Sequence, residues 1–241
     1  MAKKESVSVF FPAYNDSATI GKLAADAVAL LRKEKRDFEI IIVNDGSRDD
    51  TPKIIDGLAK KYPEVKAIHH KKNRGYGGAL KTGFENARKD LIFYTDGDGQ
   101  YDVKELKILL DNLGGFDGVN GYKIKRNDAA YRIILGDIYR RFVKFFFALK
   151  LMDIDCDFRL FKRKIFDKVK LESNTGVICV EMVKKIEAGG YKIKEVPVHH
   201  YPRISGNSQF FIPRRLFQVF KSLFWLWVEL VLKPAFSGKK A

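Results

Sequence analysis

"LIFYTDGDGQYD" (91–102) joins an apolar run to two carboxylates, Asp96 and Asp98, with one glycine between them. The apolar part, LIFYT (91–95), predicts a buried β-strand, so both carboxylates follow the end of a strand. Negative charge crowded at that position is costly unless a cation neutralises it. Oxygen ligands favour a hard divalent ion, and a metal with few protein ligands keeps positions that a diphosphate can fill. The stretch therefore predicts a metal–diphosphate site at the carboxyl end of a strand.

Plainer interpretations of this stretch stay open on its residues alone. Glycine and aspartate are common turn residues, so DGDG can form a solvated turn. A calcium loop of the EF-hand type is disfavoured, because its spacing requires glutamate at position 107 and the chain has Lys107 there. Short motifs have many false positives, so the metal hypothesis depends on the rest of the chain.

Length, composition and charge narrow the class of protein. The chain has 241 residues, of which 46% are hydrophobic and 31% charged, and this predicts a soluble or peripheral protein with a sizeable core. A formal net charge of +15 calls for an acidic partner: nucleic acid, anionic lipid or a phosphorylated substrate. Two cysteines, Cys156 and Cys179, make no disulfide framework and favour a reducing cytosol. We expect no signal peptide and no ordinary transmembrane helix.

The first half of the chain alternates between predicted strands and helices. Strands are predicted at 7–13, 38–45, 65–70, 91–95 and 116–122, and helices at 17–35, 50–62, 78–89 and 103–113. This alternation predicts an α/β fold with a Rossmann-like, mostly parallel sheet. Such sheets bind ligands beyond the carboxyl ends of their strands, so the loops at those ends are the informative ones.

Two of these loops add polar residues to the predicted site. PAYND (12–16) follows the first strand, and its Tyr14 can cover a base or a ribose. VNDGS (43–47) ends the second strand, and Asp45 there can accept a hydrogen bond from an imide or amide N–H of a nucleobase. Each loop alone is explained as well by a strand-to-helix turn. Together with DGDGQ they favour a nucleotide site.

A third glycine-rich segment, NRGYGGAL (73–80), is close to a dinucleotide-binding pattern without meeting it. Leu80 stands where the third glycine of G-x-G-x-x-G is required. The segment instead predicts a tight turn that lets a helix pack closely.

The second half of the chain is rich in aromatic residues. Helices are predicted at 131–149 and 176–188, a loop leading into a strand at 153–163, and a strand followed by a loop at 191–203. The last segment, 213–232, predicts a helix with a narrow polar stripe among Leu, Phe, Trp and Val. Its tryptophans and basic ends suit a helix lying in a membrane interface, and docking on the protein core or on a second copy stays open.

Taken in order, eight segments resemble the motifs of family 2 glycosyltransferases, close to the dolichyl- and polyprenyl-phosphate sugar transferases. They are PAYND, VNDGS, NRGYGGALKTG, TDGDGQ, GYK, DCDFRLFKR, EVPVHHYPR and RISGNS. The resemblance implies the GT-A fold. We expect a catalytic domain over 1–211 and, from the residue pattern of the last segment, an amphipathic interface helix and basic tail over 212–241. The resemblance further implies inverting, metal-dependent transfer of a sugar from a GDP- or UDP-sugar to a polyprenyl or dolichyl phosphate.

The resemblance also assigns roles to individual residues. The implied nucleotide contacts are Pro12, Ala13, Tyr14, Asn15, Asp16, Asp45, Asp96 and Gly97. The implied ligands of Mg2+ or Mn2+ are Asp96, Asp98 and Gln100. Asp98 and Arg203 are the implied catalytic residues, and Arg203 would pair with phosphates. The implied acceptor-phosphate residues are Lys123, Arg132, Arg159 and Ser208.

The chain departs from the family pattern where the acceptor would bind. Gly121-Tyr-Lys123 stands in place of a frequent Gly-Ser-Arg, and Cys156-Asp-Phe-Arg159 in place of the usual Ser-Gly-Phe-Arg. Gly136 replaces a usual serine, and Gln209 replaces a common lysine. These departures leave the identity of the acceptor open.

The acceptor decides whether the reaction needs a base. A lipid phosphate needs none, because phosphomonoesters have a second pKa of about 6 and are largely ionised at neutral pH. A glycan or protein hydroxyl needs one, and the candidates are Asp153, Asp155, Asp157 and Glu181.

The remaining function class is a nucleic-acid-binding module. Basic residues are spread through the chain and no binding motif is present, so we expect no specific nucleic-acid partner. The expected location is peripheral, on the cytoplasmic face of a membrane with anionic lipid. The sugar, the base and the oligomeric state stay open.

Overall fold

A computed structural model describes residues 4–124, 130–203 and 213–236, with backbone only at 130–132, 213–217 and 236. Within these ranges the strands are β1 Val7–Ala13, β2 Phe38–Asn44, β3 Val65–His69, β4 Leu91–Thr95, β5 Gly118–Lys123, β6 Phe158–Lys162 and β7 Ile193–Val198. The helices are α1 Ile20–Lys33, α2 Thr51–Lys61, α3 Tyr76–Asn86, α4 Leu106–Asp111, α5 Ala130–Phe147, α6 Ile165–Lys168, α7 Ile178–Ala188, α8 Pro213–Trp227 and α9 Lys233–Phe236. A 3-10 turn, Val103–Glu105, precedes α4, and a π-helical segment, Val228–Leu232, joins α8 to α9.

The described strands form one sheet in the order β3-β2-β1-β4-β6-β5-β7. β1 lies inside the sheet and pairs in parallel with β2 on one side and with the central strand, β4, on the other. Every residue of β1 and β4 is buried, as expected of parallel strands covered on both faces. The mostly parallel α/β sheet predicted from the sequence is confirmed.

One strand runs against the others, which the sequence pattern did not predict. β6 lies antiparallel between β4 and β5, with Thr95 opposite Phe158. Its first residue therefore lies at the carboxyl end of β4. The loop that leads into β6 is brought to the same edge of the sheet as the loops after β1, β2 and β4.

The predicted and observed elements agree except at some ends. The first helix begins at Ile20 rather than at residue 17, and residues 17–19 form a turn in which the backbone N–H groups of Thr19 and Ile20 donate to Asp16 O. The third helix begins at Tyr76, two residues before the predicted start. The short helix α6 was not predicted.

Alternate side chains of β1 enter two different layers of the core. Val7, Val9 and Phe11 pack with residues of α1 and α2 on one face of the sheet. Phe10 packs on the other face with residues of α3 and α7. It stacks on Tyr94 at 5.2 Å between ring centroids.

A third apolar cluster joins the C-terminal helix to the rest of the protein. Val143 and Phe147 of α5 pack with Val180 of α7 and with Leu223 and Leu226 of α8. The predicted boundary at 211/212 falls in the undescribed segment 204–212, so the division into two domains stays a prediction. None of the described helices is long and apolar enough to cross a membrane.

Two helical glycines differ in the space around them, and this difference predicts opposite effects of the same substitution. A Cβ at Gly83 in α3 would lie 2.3 Å from Cδ2 of the buried Phe10. We expect Gly83→Ala to lower the free energy of unfolding by about 1–2 kcal/mol, because overpacking outweighs the gain in helix propensity. Urea denaturation followed by circular dichroism measures the change.

The matched control is Gly57→Ala in α2, where an added Cβ meets no atom within 4 Å. We expect it to raise the free energy of unfolding by about 0.5–1 kcal/mol. A stabilised Gly83→Ala protein would contradict the close packing of α3 on the sheet.

Candidate active site

The loops after β1, β2 and β4 are hydrogen-bonded to one another at the carboxyl edge of the sheet. The backbone N–H of Asp45 donates to Ala13 O at 2.9 Å, and that of Gly97 donates to Pro12 O at 3.1 Å. A Cβ at Gly97 would lie 2.9 Å from Pro12 O and 3.1 Å from Asp16 Oδ2. Because glycine has no Cβ, Gly97 lets the loop after β4 approach the end of β1 and the loop that follows it.

The PAYND loop is held in a strained and well-connected shape. Asn15 has a positive φ of 59°, and its Oδ1 accepts from Arg48 N at 2.8 Å. Asp16 Oδ2 accepts from Tyr14 N at 2.9 Å, while Asp16 N donates to Thr51 Oγ1 at 2.9 Å. Pro12 and Ala13 are buried, and Tyr14 is half-buried. The loop is thus tied to the loop that follows β2.

Asp45 is buried, and one of its carboxylate oxygens is engaged twice. Oδ1 accepts from Arg74 N at 2.8 Å and lies 2.6 Å from Nδ1 of His70. The side chain of Asn73 donates to the Asp45 backbone oxygen at 3.1 Å. No hydrogen bond to Asp45 Oδ2 comes from the described residues.

The DGDGQ loop brings the predicted metal and phosphate residues together. Asp96 Oδ1 accepts from the Tyr76 hydroxyl at 2.7 Å. Asp98 Oδ1 accepts from Gln100 N at 3.0 Å, and its Oδ2 accepts from Arg203 Nη2 at 2.6 Å. The same guanidinium lies 3.4 Å from Gln100 Oε1. Arg203, 105 residues away in the chain, therefore contacts both Asp98 and Gln100.

Burial and mutual repulsion raise the pKa values of these carboxyl groups. The pKa of Asp96 lies well above its usual range because of burial, with Asp157 and Asp98 adding repulsion. Burial also raises the pKa of Asp98, although Arg203 and the Gln100 amide oppose this. Burial, together with the charge of Asp98, raises the pKa of Asp16 to about 6. The site therefore holds more negative charge than its environment stabilises.

Among the described residues, no three His, Cys, Asp or Glu side chains form a group that could hold a metal ion by themselves. A metal at Asp98 would need oxygen ligands from a bound molecule. The residues fit that arrangement, because Asp98 already pairs with a cation, the Arg203 guanidinium, and lies near the carboxylates of Asp96, Asp16 and Asp157. The fit is to an open site with few protein ligands.

Two of the four predicted acceptor-phosphate residues, Lys123 and Arg159, lie around the loop before β6. Lys123 Nζ donates to Asp155 O at 2.8 Å and lies 3.8 Å from Asp153 Oδ1. Arg159 is fully buried and donates to two backbone oxygens of the same loop, those of Ile154 and Cys156. In this structure its guanidinium thus holds the loop and does not reach the surface. Ser208 lies outside the described residues, as does the side chain of Arg132.

The four predicted candidates for a base divide into different environments. Glu181 is a buried brace, because its carboxylate accepts from the backbone N–H groups of Glu172 and Ser173 and from Lys185 Nζ. Burial opposes its ionisation, but these hydrogen bonds lower its pKa overall. Burial raises the pKa of Asp155 to about 6, against the opposing charge of Lys123. Asp157 lies between Tyr94 and Cys179, whose hydroxyl and thiol donate to its Oδ1.

Sequence reasoning missed two residues that support the site. His70 contacts Asp45, and Tyr76 donates to Asp96. A signal for His70 existed, because it directly follows a parallel strand at the carboxyl edge of the sheet. Tyr76 had no such signal, since it belongs to α3 and reaches Asp96 only because that helix packs closely. The close packing predicted for NRGYGGAL is observed, with a Cβ at Gly77 placed 2.3 Å from Ser173 O.

Curated proteins similar to this chain include several sugar transferases. Glycosyltransferase AglD of Haloferax volcanii is 29% identical, over 97% of this chain and 39% of its own. An undecaprenyl-phosphate 4-deoxy-4-formamido-L-arabinose transferase of Shewanella sediminis is 29% identical, over 85% of this chain and 61% of its own. A dolichyl-phosphate beta-glucosyltransferase of Dictyostelium discoideum is 31% identical, over 84% of this chain and 68% of its own. The chain thus spans less than two thirds of the first two relatives.

Solved structures share the fold at low sequence identity. The mannosyltransferase PcManGT of Pyrobaculum calidifontis, in complex with GDP-Man and Mn2+, superposes with a TM-score of 0.67 at 19% identity, covering 93% of this chain and 64% of that one. Glucosyl-3-phosphoglycerate synthase of Mycobacterium tuberculosis, in complex with Mn2+, UDP-glucose and phosphoglyceric acid, has a TM-score of 0.67 at 18% identity, covering 93% and 79%. The expected GT-A fold is therefore confirmed.

The family match runs from the first strand through the reversed strand β6 and includes the loops after β1, β2 and β4. It covers residues 8–170 with the description Glycosyl transferase family 2. Because this is more than half of the chain, the protein belongs to glycosyl transferase family 2.

Proposed function

We propose that this chain moves a sugar, with inversion, from a GDP- or UDP-sugar to a polyprenyl or dolichyl phosphate at a membrane surface. The observation that carries the proposal is the ion pair between the buried Asp98 and the more exposed Arg203 at the end of β4, beside Asp96 and Asp16. The names of the similar transferases support the acceptor, because they include undecaprenyl-phosphate and dolichyl-phosphate enzymes. The family membership supports the transfer of a glycosyl group.

The sugar donor would bind along the carboxyl edge of β1, β2 and β4. The nucleoside would lie on the predicted contacts Pro12, Ala13, Tyr14, Asn15, Asp16, Asp45, Asp96 and Gly97. The diphosphate would lie beside Asp98 and Gln100, where Arg203 supplies charge-assisted hydrogen bonds to phosphate oxygens. A Mg2+ or Mn2+ ion held by Asp98, Asp96 and Gln100 would stabilise the charge that develops on the leaving diphosphate.

The acceptor phosphate would bind near the loop before β6. Among the described residues we propose Lys123 as the cation that binds this phosphate, because its Nζ contacts Asp155 O and Asp153 Oδ1 in that loop. Arg159 would act by fixing the loop backbone, and Arg132 and Ser208 remain proposed contacts. An ionised phosphate oxygen can attack the anomeric carbon without a base.

A hydroxyl acceptor is the second candidate, and one observation favours it. The pKa of Asp155 is raised to about 6 by burial, which suits a general base near neutral pH. The phosphoglycerate synthase of similar fold was crystallised with phosphoglyceric acid, a phosphorylated molecule that carries a hydroxyl.

We propose that the protein binds a membrane through the exposed apolar side chains of α5 and α8, which together we call the α5–α8 face. They are Ile134, Leu135, Ile138, Phe142, Phe145, Phe146, Phe220, Phe224 and Trp225. Phe145 is 81% exposed and Trp225 is 60% exposed. The two helices form one unit, because they share an apolar cluster and Trp227 Nε1 donates to Phe146 O at 2.9 Å.

The charges around this face favour an anionic lipid surface as its partner. Arg141 and Lys221 are exposed on the same two helices, and the whole chain carries a formal net charge of +15. Each lysine or arginine near an anionic leaflet adds about 1 kcal/mol of attraction. We propose a peripheral position on the cytoplasmic leaflet and no specific nucleic-acid partner.

The transfer reaction is the direct test of this function. Purified protein, Mg2+ or Mn2+, radiolabelled GDP- or UDP-sugars and a short polyprenyl phosphate should move label into the organic phase. Asp98→Asn should lower the rate by about 100-fold or more, because the carboxylate charge that would hold the metal beside the diphosphate is lost.

The control for this experiment is Asp102→Asn in the same loop. Asp102 accepts from Lys104 N and caps the 3-10 turn, so its loss should leave the rate nearly unchanged. Metal-dependent nucleotide binding without transfer from any sugar donor would contradict the lipid-phosphate acceptor and favour a hydroxyl.

The raised pKa of Asp16 predicts a pH-dependent cost in stability without metal. Its pKa rises from 3.8 to about 6 on folding, so the folded state binds the proton more tightly and loses stability between about pH 4 and pH 6. Asp16→Asn should therefore raise the free energy of unfolding by about 1–2 kcal/mol at pH 7.5 and by nothing at pH 4. Urea denaturation in a chelator at both pH values measures this.

Asp49→Asn should show the opposite sign at pH 7.5. Burial opposes ionisation of Asp49, but hydrogen bonds from Thr51 and Ser17 lower its pKa overall, so its charge is stabilising. Equal effects of the two substitutions at pH 7.5 would rule out the crowding of charge proposed at Asp16.

Membrane docking is tested with the double substitution Phe145→Ser and Trp225→Ser. We expect the vesicle-bound fraction to fall about tenfold or more, because two large apolar side chains no longer enter the interface. Co-sedimentation with vesicles that contain phosphatidylserine, compared with vesicles of phosphatidylcholine alone, measures binding and its charge dependence.

Tyr62→Ser, at the end of α2 and outside the α5–α8 face, is the control and should bind vesicles normally. Light scattering distinguishes the competing occupant, a second copy of the chain. A stable dimer that loses affinity on the double substitution, with no vesicle binding by the unmodified protein, would replace the membrane proposal.

A further inference from the structure

His70 forms a buried contact with the carboxylate that is proposed to recognise the nucleobase. Its Nδ1 lies 2.6 Å from Asp45 Oδ1, and the two side chains are only 5% and 4% exposed. The His70 backbone N–H donates to Asn44 O at 2.9 Å, which ties the end of β3 to the end of β2. The imidazole is therefore held beside Asp45 by the sheet itself.

The contact with the Asp45 carboxylate requires a proton on Nδ1 of His70. Asp45 Oδ1 already accepts from Arg74 N at 2.8 Å, so it acts as an acceptor and the Nδ1–H of His70 donates to it. The other ring nitrogen, Nε2, lies 2.9 Å from Thr82 Oγ1, and that hydroxyl lies 3.1 Å from Gly78 O in α3. The ring is thus fixed at both ends, between Asp45 and α3.

This arrangement directs the chemistry of Asp45. Two donors are gathered on Oδ1, while Oδ2 receives no hydrogen bond from the described residues. A carboxylate fixed in this way offers one oriented acceptor and does not have to be ordered when a ligand binds. Its natural complement is a ring N–H flanked by carbonyl groups or by a carbonyl and an amine, which uracil and guanine have and which adenine and cytosine lack.

We infer that His70 is the positioning residue for base recognition, fixing Asp45 so that Oδ2 accepts from the ring N–H of a uracil- or guanine-type base. The inference rests on the proposed function, since it specifies how the same nucleotide site selects its ligand. Adenine and cytosine present a ring nitrogen that is itself an acceptor, so they leave Asp45 unpaired and are rejected.

The test compares two probes that share the diphosphate and differ in the base. Calorimetry with Mn2+ measures the affinity of the full chain for UDP and GDP, and separately for inorganic pyrophosphate. His70→Ala should lower the affinity for the tighter nucleotide about tenfold and leave that for pyrophosphate unchanged. His70→Asn, whose amide nitrogen takes the place of Nδ1, should recover most of the loss.

A second ligand pair makes the result specific to the base N–H. The unmodified protein should prefer the nucleotide over the same nucleotide methylated at that ring nitrogen, and His70→Ala should lose most of this preference. If His70→Ala does not fold, Thr82→Val replaces it, and a loss of a few-fold for the nucleotide only is expected.

The outcomes separate this inference from the proposed function. If His70→Ala lowers the affinities for the nucleotide and for pyrophosphate equally, or leaves the preference for the unmethylated base unchanged, the role of His70 is overturned. The proposed function is not affected by either result. If the unmodified protein binds pyrophosphate but neither UDP nor GDP, the proposed sugar donor is overturned and this inference with it.

Discussion

The burial of several carboxylates at the end of one strand is the constraint on which the rest of this site depends. Asp96 and Asp98 follow β4, and burial raises the pKa of both. Repulsion from Asp157 adds to both shifts, and repulsion from Asp16 adds to that of Asp96. Part of this charge is stabilised by the Tyr76 hydroxyl and by Arg203. The negative charge that these two groups do not neutralise suits a metal ion that also binds a diphosphate. The repulsion between the carboxylates therefore destabilises the free protein and favours binding of the metal.

The reversed direction of β6 determines which loop lies beside the carboxylates that follow β4. Because Phe158 pairs with Thr95, the residues before β6 lie at the carboxyl edge of β4. An all-parallel arrangement would place that loop at the opposite edge, away from the site. The reversal instead brings Asp153, Asp155 and Lys123 together, and the buried Arg159 secures their loop through its backbone oxygens.

Two helices from distant parts of the sequence, α5 and α8, form the exposed apolar surface of the protein. α5 and α8 pack on each other and on α7, yet both keep large apolar side chains exposed. An enzyme that takes a long-chain lipid phosphate must meet an apolar phase close to an ionic site. The α5–α8 face and the carboxylate cluster are the apolar and ionic environments on which the proposed transfer to a lipid phosphate depends.

Local sequence patterns predict most of the fold. Near-continuous apolar runs such as 38–44 and 91–95 predict buried parallel strands, and the second run places DGDGQ at the end of a strand. They also identified Asp45, Asp96 and Asp98 as candidates, because these residues follow such strands directly. The sequence could not predict the direction of β6, the pairing of Arg203 with Asp98 across 105 residues, or the burial of Arg159. These features depend on strand order and on helices packing over the sheet, and contacts between residues far apart in the chain leave no local period to detect. The sequence by itself therefore determined the elements and the chemistry at the strand ends, whereas only the tertiary structure decided which charges meet and how His70 and Arg203 hold them.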